Sequence, residues 1–229
     1  NRIDEKTLVK LPKQNVDTGM GLERTNCILQ GKTSVYLTEV FQPIINTIEK
    51  LSNYTYGTDE EKDKSVRIIA DHSRSSVFIL GDQKGVTPDR VGAGYVLRRL
   101  IRRAVRHGMK LGIEESFLAK IALSVVENFC CAYPELSDNK DKICNELTKE
   151  EEKFRQTLKK GEAEFQKLLP NLMKNPKKEI SGKVAFRLYD TFGFPLELTE
   201  ELGAENGFTV DKEGFKEAER KHQEASKSA

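Results

Sequence analysis

The sequence predicts a mainly α fold with a short α+β stretch at its N-terminus. Three observations carry this. Apolar residues recur at i, i+3, i+4 spacing along most of the 229 residues. Charged residues make up 32% and hydrophobic ones 37%, the balance of helices with a strongly solvated outer face. The strand reading falls on residues 8–18, LVKLPKQNVDT, where apolar and polar residues mix around Pro12.

The elements follow in order. After the 8–18 strand and its turn comes Gly19-Met20-Gly21, then a helix over 22–30 with Leu22, Ile28 and Leu29 near one face and Gly31 as its C-cap. Residues 36–51 place Leu37, Val40, Phe41, Ile44, Ile45, Ile48 and Leu51 on an amphipathic helix. The polar run 52–64, SNYTYGTDEEKDK, reads as a loop, and a domain boundary is expected there, between 1–60 and 61–229. A helix over 65–80 turns Ile68, Ile69, His72 and Val77 inward, so His72 is expected in the core. Residues 81–92 form a turn-rich loop. Helices are then expected over 93–110, 117–132 and 138–169, the last with heptad-like apolar steps and an end at Pro170. A Lys-rich loop, 170–183, leads to short helices at 182–190, 195–206 and 211–228. The final one is charged, and is expected to be solvated or to lead into a further domain.

Several function classes are disfavoured. The 38 basic and 36 acidic residues give a net charge of only +2, so the placement of charge matters more than its sum. Cys27, Cys130, Cys131 and Cys144 form no C-x-x-C pair, and His72, His107 and His222 lie at no zinc-ligand spacing from them. Neither a metal site nor a disulfide framework is expected, and a reducing, cytoplasmic setting is. No apolar run approaches the ~20 residues that cross a bilayer. The start, Asn1-Arg2-Ile3-Asp4, has no Met and no signal-like run, and is read as the interior of a longer chain.

Two features carry chemistry. Asp17-Thr18-Gly19-Met20-Gly21-Leu22-Glu23-Arg24 sets two glycines before a helix N-terminus. Backbone without Cβ atoms allows close approach of a ligand, the helix start favours anions, and Arg24 can pair with phosphate or stack on a purine. Asp17 offers a carboxylate to an ammonium group. An ordinary strand-to-helix turn has the same appearance. The second feature is the helix 93–110. Leu97, Leu100, Ile101, Ala104 and Val105 fall in an arc of roughly 140° at about 100° per residue. Arg98, Arg99, Arg102, Arg103 and Arg106 lie opposite, with Lys110 beyond and no acid from 94 to 110. Such a face needs a counter-charge, from nucleic acid or from acids within the chain such as Glu150–Glu152. Only Tyr95 is an aromatic neighbour, which favours duplex backbone over stacked single strands. His107, beside Arg106, is expected at a solvated helix end.

The run VDTGMGLER resembles motif 3 of class II aminoacyl-tRNA synthetases, in the form of the alanyl family. The likeness continues through Arg67-Ile68-Ile69-Ala70-Asp71-His72, Gly94 to Ala104, Glu150-Glu151-Glu152 and Leu188-Tyr189-Asp190-Thr191-Phe192-Gly193-Phe194-Pro195, in the family's order. The resemblance implies the end of an antiparallel-sheet catalytic domain (1–60) followed by a helical tRNA-recognition domain (61–229). It implies that Asp17 holds the alanine ammonium, Gly19 lines a small side-chain pocket, and Gly21 and Arg24 bind ATP. Mg2+ would accompany the ATP in the full enzyme. Alanine is activated on the α-phosphate and passed to the tRNA for alanine, by positioning and charge neutralisation. In the family the helical domain inspects a G·U pair in the acceptor stem, reached through the shallow minor groove of RNA. Arg103 and Asp190 match residues of that readout, while Arg98, Arg99, Arg102 and Arg106 suit positioning or internal pairing. Taken without the resemblance, Asp190 could equally be an N-cap before Thr191.

The resemblance also implies what this chain lacks. Motifs 1 and 2 are expected upstream and a zinc-bearing editing domain downstream, so the chain alone is expected to be inactive. It departs from the family at Ala93, where an arginine is usual, with no Asn nearby; Arg90, three residues earlier, is the candidate to compensate. A stand-alone helical RNA-binding module without catalysis is the alternative reading. A P-loop enzyme is poor, since no G-x-x-x-x-G-K-[ST] occurs.

Overall fold

A computed structural model describes residues 4, 7, 9–89, 91–192 and 194–227; Arg90 and Gly193 lie outside them. Residues 1–42 and 43–229 form two compact units.

In the first unit, residues 9–20 have no regular structure and are exposed. The expected strand over 8–18 is therefore not formed at its described residues. A strand needs a neighbour for its backbone groups, and the described residues of this unit form no strand. Helix α1 (Leu22–Leu29) starts at Gly21, whose backbone is extended. It closes as expected at Gly31, with φ +62°. The Gly31 N–H bonds to Ile28 O and the Lys32 N–H to Cys27 O, the paired closure that a left-handed residue permits. Its inward residue is Cys27, however, while Leu22, Ile28 and Leu29 are exposed. Helical spacing identified a face here, but among the described residues it stays uncovered.

The helix expected over 36–51 is divided. Val35–Leu37 make one 3-10 turn, and Thr38 then turns extended, its hydroxyl donating to Val35 O at 2.6 Å. Helix α2 (Gln42–Ser52) restarts with Pro43 in its first turn, where a missing N–H breaks no bond. Tyr36 and Phe41 pack with ring centres 4.8 Å apart.

The second unit is helical throughout apart from two short strands. Helix α3 (Glu60–Gly81) begins five residues before the expected start. Asp59 accepts from the Lys62 N–H at 2.9 Å, and Glu60, Glu61 and Asp63 occupy the first turn, so polar residues suit that helix end. Helix α4 (Gly92–Lys110) matches its expected span and packs along α3. The expected helix over 117–132 is α5 (Leu118–Phe129), followed by the short α6 (Pro134–Asp138). Helix α7 (Lys140–Leu172) packs on α4 and α5 through Ile143, Leu147, Phe154, Leu158 and Phe165, all fully buried. It runs two residues past Pro170, whose ring removes one N–H bond without undoing the last turn.

The C-terminal part contains the missed elements. Strands β1 (Glu179–Ile180) and β2 (Thr209–Val210) pair in parallel. Two residues are too few to show an alternation. Helix α8 (Gly182–Phe192), α9 (Leu196–Glu205) and α10 (Lys212–Lys227) agree with the expected short helices within about two residues at each end. Helix α10 is not wholly solvated: Phe215 is buried and meets the rings of Phe186 and Tyr189 on α8.

Candidate nucleic-acid interface

Helix α4 forms this site because its sequence separates apolar and cationic residues so sharply. Leu97, Ile101, Ala104 and Val105 are sunk among α3 and α7. The basic side must then face acids or solvent, and the structure sorts its residues into both groups.

Arg102 and Arg106 are buried. Arg102 Nε lies 2.6 Å from Glu150 Oε1 on α7, and its guanidinium sits 4.9 Å over the Phe154 ring. Burial pulls the Arg102 guanidinium below its ordinary range, and Glu150 opposes that shift. Arg98 Nε reaches the same oxygen at 3.1 Å. Arg106 is held by Glu201 and, at 3.0 Å, by Glu205 of α9, which also takes Lys110. Arg99 and Arg103 remain at the surface, their side chains 49% and 45% exposed. Each still has an acid: Arg99 Nε lies 3.2 Å from Glu197 Oε1, and Arg103 Nε 3.1 Å from Glu201 Oε1.

The intramolecular acids were thus only partly anticipated. Glu150 pairs with the arginines of α4, but Glu151 does not pair with them. It is fully buried and accepts the Phe117 and Leu118 N–H groups, capping α5 from α7. Arg155 joins it at 3.0 Å and donates to the carbonyls of Ile113, Glu114 and Glu115. Most of the counter-charge comes instead from Glu197, Glu201 and Glu205. Their four-residue spacing matches that of Arg99 to Arg103 and of Arg106 to Lys110, a signal legible in the sequence. Residue numbers rise together along the pairs, so α4 and α9 run parallel.

Asp190 lies inside α8 and is therefore not an N-cap. Its carboxylate is half-exposed, with His222 Nε2 3.6 Å away. It lines a cavity of about 120 Å3 with Tyr95, Arg98, Arg99, Arg102, Tyr189 and Pro195. Burial pushes the Tyr95 phenol up. A neighbouring cleft of about 530 Å3 lies between α4 and α9, walled by Val96, Leu100 and Leu198 and edged by Arg99 and Arg103. The structure thus brings Asp190 beside Arg98, Arg99 and Arg102, and sets Arg103 one turn further along α4, around the adjoining cleft. Ala93 is exposed in the first turn of α4.

His107 corrects its expectation. It is buried, with Nδ1 2.9 Å from Ser65 Oγ. Burial, with Lys110 and the neighbouring arginines, drives its pKa down to about 3. His72 is mostly buried and 3.1 Å from Asp71.

The glycine turn of the first unit is a separate feature. Asp17 accepts the Thr18 N–H at 2.8 Å. Asp17, Gly19, Gly21 and Arg24 are all exposed, and a Cβ built on Gly19 meets no atom within 4 Å.

The whole chain, residues 1–229, matches the family described as tRNA synthetases class II (A). Proteins named alanine–tRNA ligase are similar along most of it. That of Treponema denticola is 59% identical over 218 residues, covering 95% of this chain and 36% of the relative. That of Borrelia hermsii is 54% identical over 218 residues, with the same coverages of 95% and 36%. That of Lactococcus lactis subsp. cremoris is 48% identical over 220 residues, covering 96% of this chain and 25% of the relative. The chain thus spans roughly a quarter to a third of the length of these relatives.

Proposed function

Because the chain belongs to the class II (A) family of tRNA synthetases, we propose that it serves an alanine–tRNA ligase as its motif 3 and acceptor-stem segment. In this reading residues 1–60 end the catalytic domain and 61–229 recognise tRNA in the cytoplasm. Asp17 and Gly19 receive alanine, and Gly21 and Arg24 receive ATP. Similarity to named ligases along 95% of the chain disfavours the stand-alone RNA-binding alternative.

The observation that carries the RNA reading is the sorting of charge on α4. Arg102 and Arg106 are consumed in buried pairs, while Arg99 and Arg103 stay at the surface, Arg99 lining the cavity of the Asp190 carboxylate and Arg103 edging the adjoining cleft. Arg99 and Arg103 can donate to RNA through terminal nitrogens. A carboxylate is repelled by phosphate, so Asp190 suits a base amino group, which donates. Arg98, Arg102 and Arg106 fix the helix that presents them.

Mg2+ would come with the ATP, held largely by its phosphates; among the described residues no group of three or more His, Cys, Asp or Glu could hold a metal. Zinc, where such an enzyme uses it, we assign to regions outside residues 1–229. No helix of the described residues is long and apolar enough to cross a membrane.

The test is binding of the purified chain to a hairpin with the alanine acceptor stem. Affinity should fall with salt, and Arg103→Ala should weaken binding of the hairpin that carries the G·U pair. Arg24→Ala should leave binding unchanged. Binding without salt dependence, or equal losses in the two variants, would refute the assignment.

A further inference from the structure

We propose that Glu197 and Glu201 determine specificity at this site by turning Arg99 and Arg103 from general phosphate clamps into aimed, charge-balanced donors. The proposal rests on the RNA reading above.

The geometry of the pairs supports it. Both acids meet their arginine at Nε, at 3.2 Å for Arg99 and 3.1 Å for Arg103. A guanidinium carries five N–H donors in a rigid planar fork. The closest approach of each acid is to Nε, and among the described residues no hydrogen bond occupies the terminal Nη groups. The pairs are part-exposed, at 49% and 35% for the first and 45% and 26% for the second, so a ligand can reach them. They span a cleft of about 530 Å3, where the edges of α4 and α9 are bridged by long side chains.

The balance of charge points the same way. Arg99, Arg103, Arg106 and Lys110 face Glu197, Glu201 and Glu205. Glu205 serves the buried Arg106 and Lys110, and Glu150 the buried Arg102, which fits a role in packing. Glu197 suits the first turn of α9, where an acid is favoured, and among the described residues the surface Arg99 is its only ion-pair partner. An arginine already paired contributes less net charge to counterion release, so any RNA duplex gains less from it. Directed hydrogen bonds survive the pairing. Discrimination is a difference of affinities, and weakening the contact common to all duplexes while fixing the directional one increases it.

The experiment compares the chain with its Glu197→Gln and Glu201→Gln variants. Gln keeps size and an acceptor oxygen but removes the charge. Two hairpins are used, one with the G·U pair and one with G·C in its place, each titrated over a range of salt. Each variant should bind the G·C hairpin more tightly, steepen the salt slope by up to about one unit per freed arginine, and narrow the ratio between hairpins. Mere structural damage would weaken binding, so the sign of the change separates the two explanations. Glu201 also holds the buried Arg106, whereas Glu197→Gln leaves that pair intact and keeps the test valid if Glu201→Gln folds poorly. If the wild-type chain binds the hairpins but Glu197→Gln leaves G·C affinity and slope unchanged, or weakens them, the proposal is overturned and the RNA reading stands. If the wild-type chain binds neither hairpin, both fall.

Discussion

Arg102 and Arg103 are neighbours on α4, yet their replacement by alanine should change stability by very different amounts. Arg102 is 4% exposed, 2.6 Å from Glu150 and 4.9 Å from the Phe154 ring centre. Removing one partner of a buried pair costs about 3–5 kcal/mol. Arg98 stays 3.1 Å from Glu150 and offsets part of that, which points to the lower end of the range. Loss of the contact with Phe154 adds about 1 kcal/mol, and a total near 3–4 kcal/mol results. With a urea m-value of about 3 kcal/mol/M, the unfolding midpoint of Arg102→Ala should fall by about 1 M. Arg103 forms an exposed, screened pair worth about 0–1 kcal/mol, so its midpoint should move by less than about 0.3 M. Urea unfolding followed by helical circular dichroism measures both. Equal midpoint shifts would refute the division of α4 into packing and contact arginines.

Other consequences follow from the same packing. Glu151→Ala strands the buried Phe117 and Leu118 amides and leaves Arg155 without its carboxylate, and should lower stability by about 3–5 kcal/mol in denaturant titration. A Cβ at Gly182 would stand 2.0 Å from the backbone of Gly214, so Gly182→Ala should push α8 off α10 and lower Tm, where an exposed Gly57→Ala should act only through its positive φ. His107 has a folded pKa of about 3 against an ordinary 6.5, so the unfolded chain binds the extra proton first. Its contribution is complete above about pH 6.5 and is lost progressively as pH falls toward 3; His107→Gln should flatten that part of the stability profile. In a full-length synthetase carrying this segment, Arg24→Ala should impair ATP use far more than tRNA binding, as pyrophosphate exchange and hairpin titration would measure separately.

The sequence made the helices legible wherever an apolar stripe met a buried neighbour. Helix α4 shows this best, since its apolar arc and its basic side are both complete within 19 residues. The reading failed where a pattern lacked a partner. Leu22, Ile28 and Leu29 have helical spacing, but among the described residues they stay exposed. The 8–18 segment has strand-like composition, and the described residues of its unit form no strand beside it. Local punctuation also overrode periodicity at Thr38 and Pro43, which divided an apolar run that looks continuous. At the candidate site the arginines were obvious and their sorting was not. Arg102 and Arg103 are the same residue type one position apart, about 100° around the helix, and only tertiary packing decides which one meets Glu150. His107 was misjudged for the same reason: it sits among cations in sequence and against Ser65 in space.

The account stands on the claim that Arg103 and Asp190 read the acceptor stem and do not merely hold it. Its most direct test is the ratio of aminoacylation efficiencies on a G·U and a G·C acceptor hairpin, measured for Arg103→Ala and Asp190→Ala in a full-length synthetase carrying this segment. Base readout is worth about 1–3 kcal/mol per contact in DNA grooves, and a loss of that order in the ratio is expected for each variant. The G·U hairpin should suffer most of the loss, with the G·C hairpin little changed. If both hairpins slow by the same factor, Arg103 and Asp190 position the stem without reading it, and the claim is wrong.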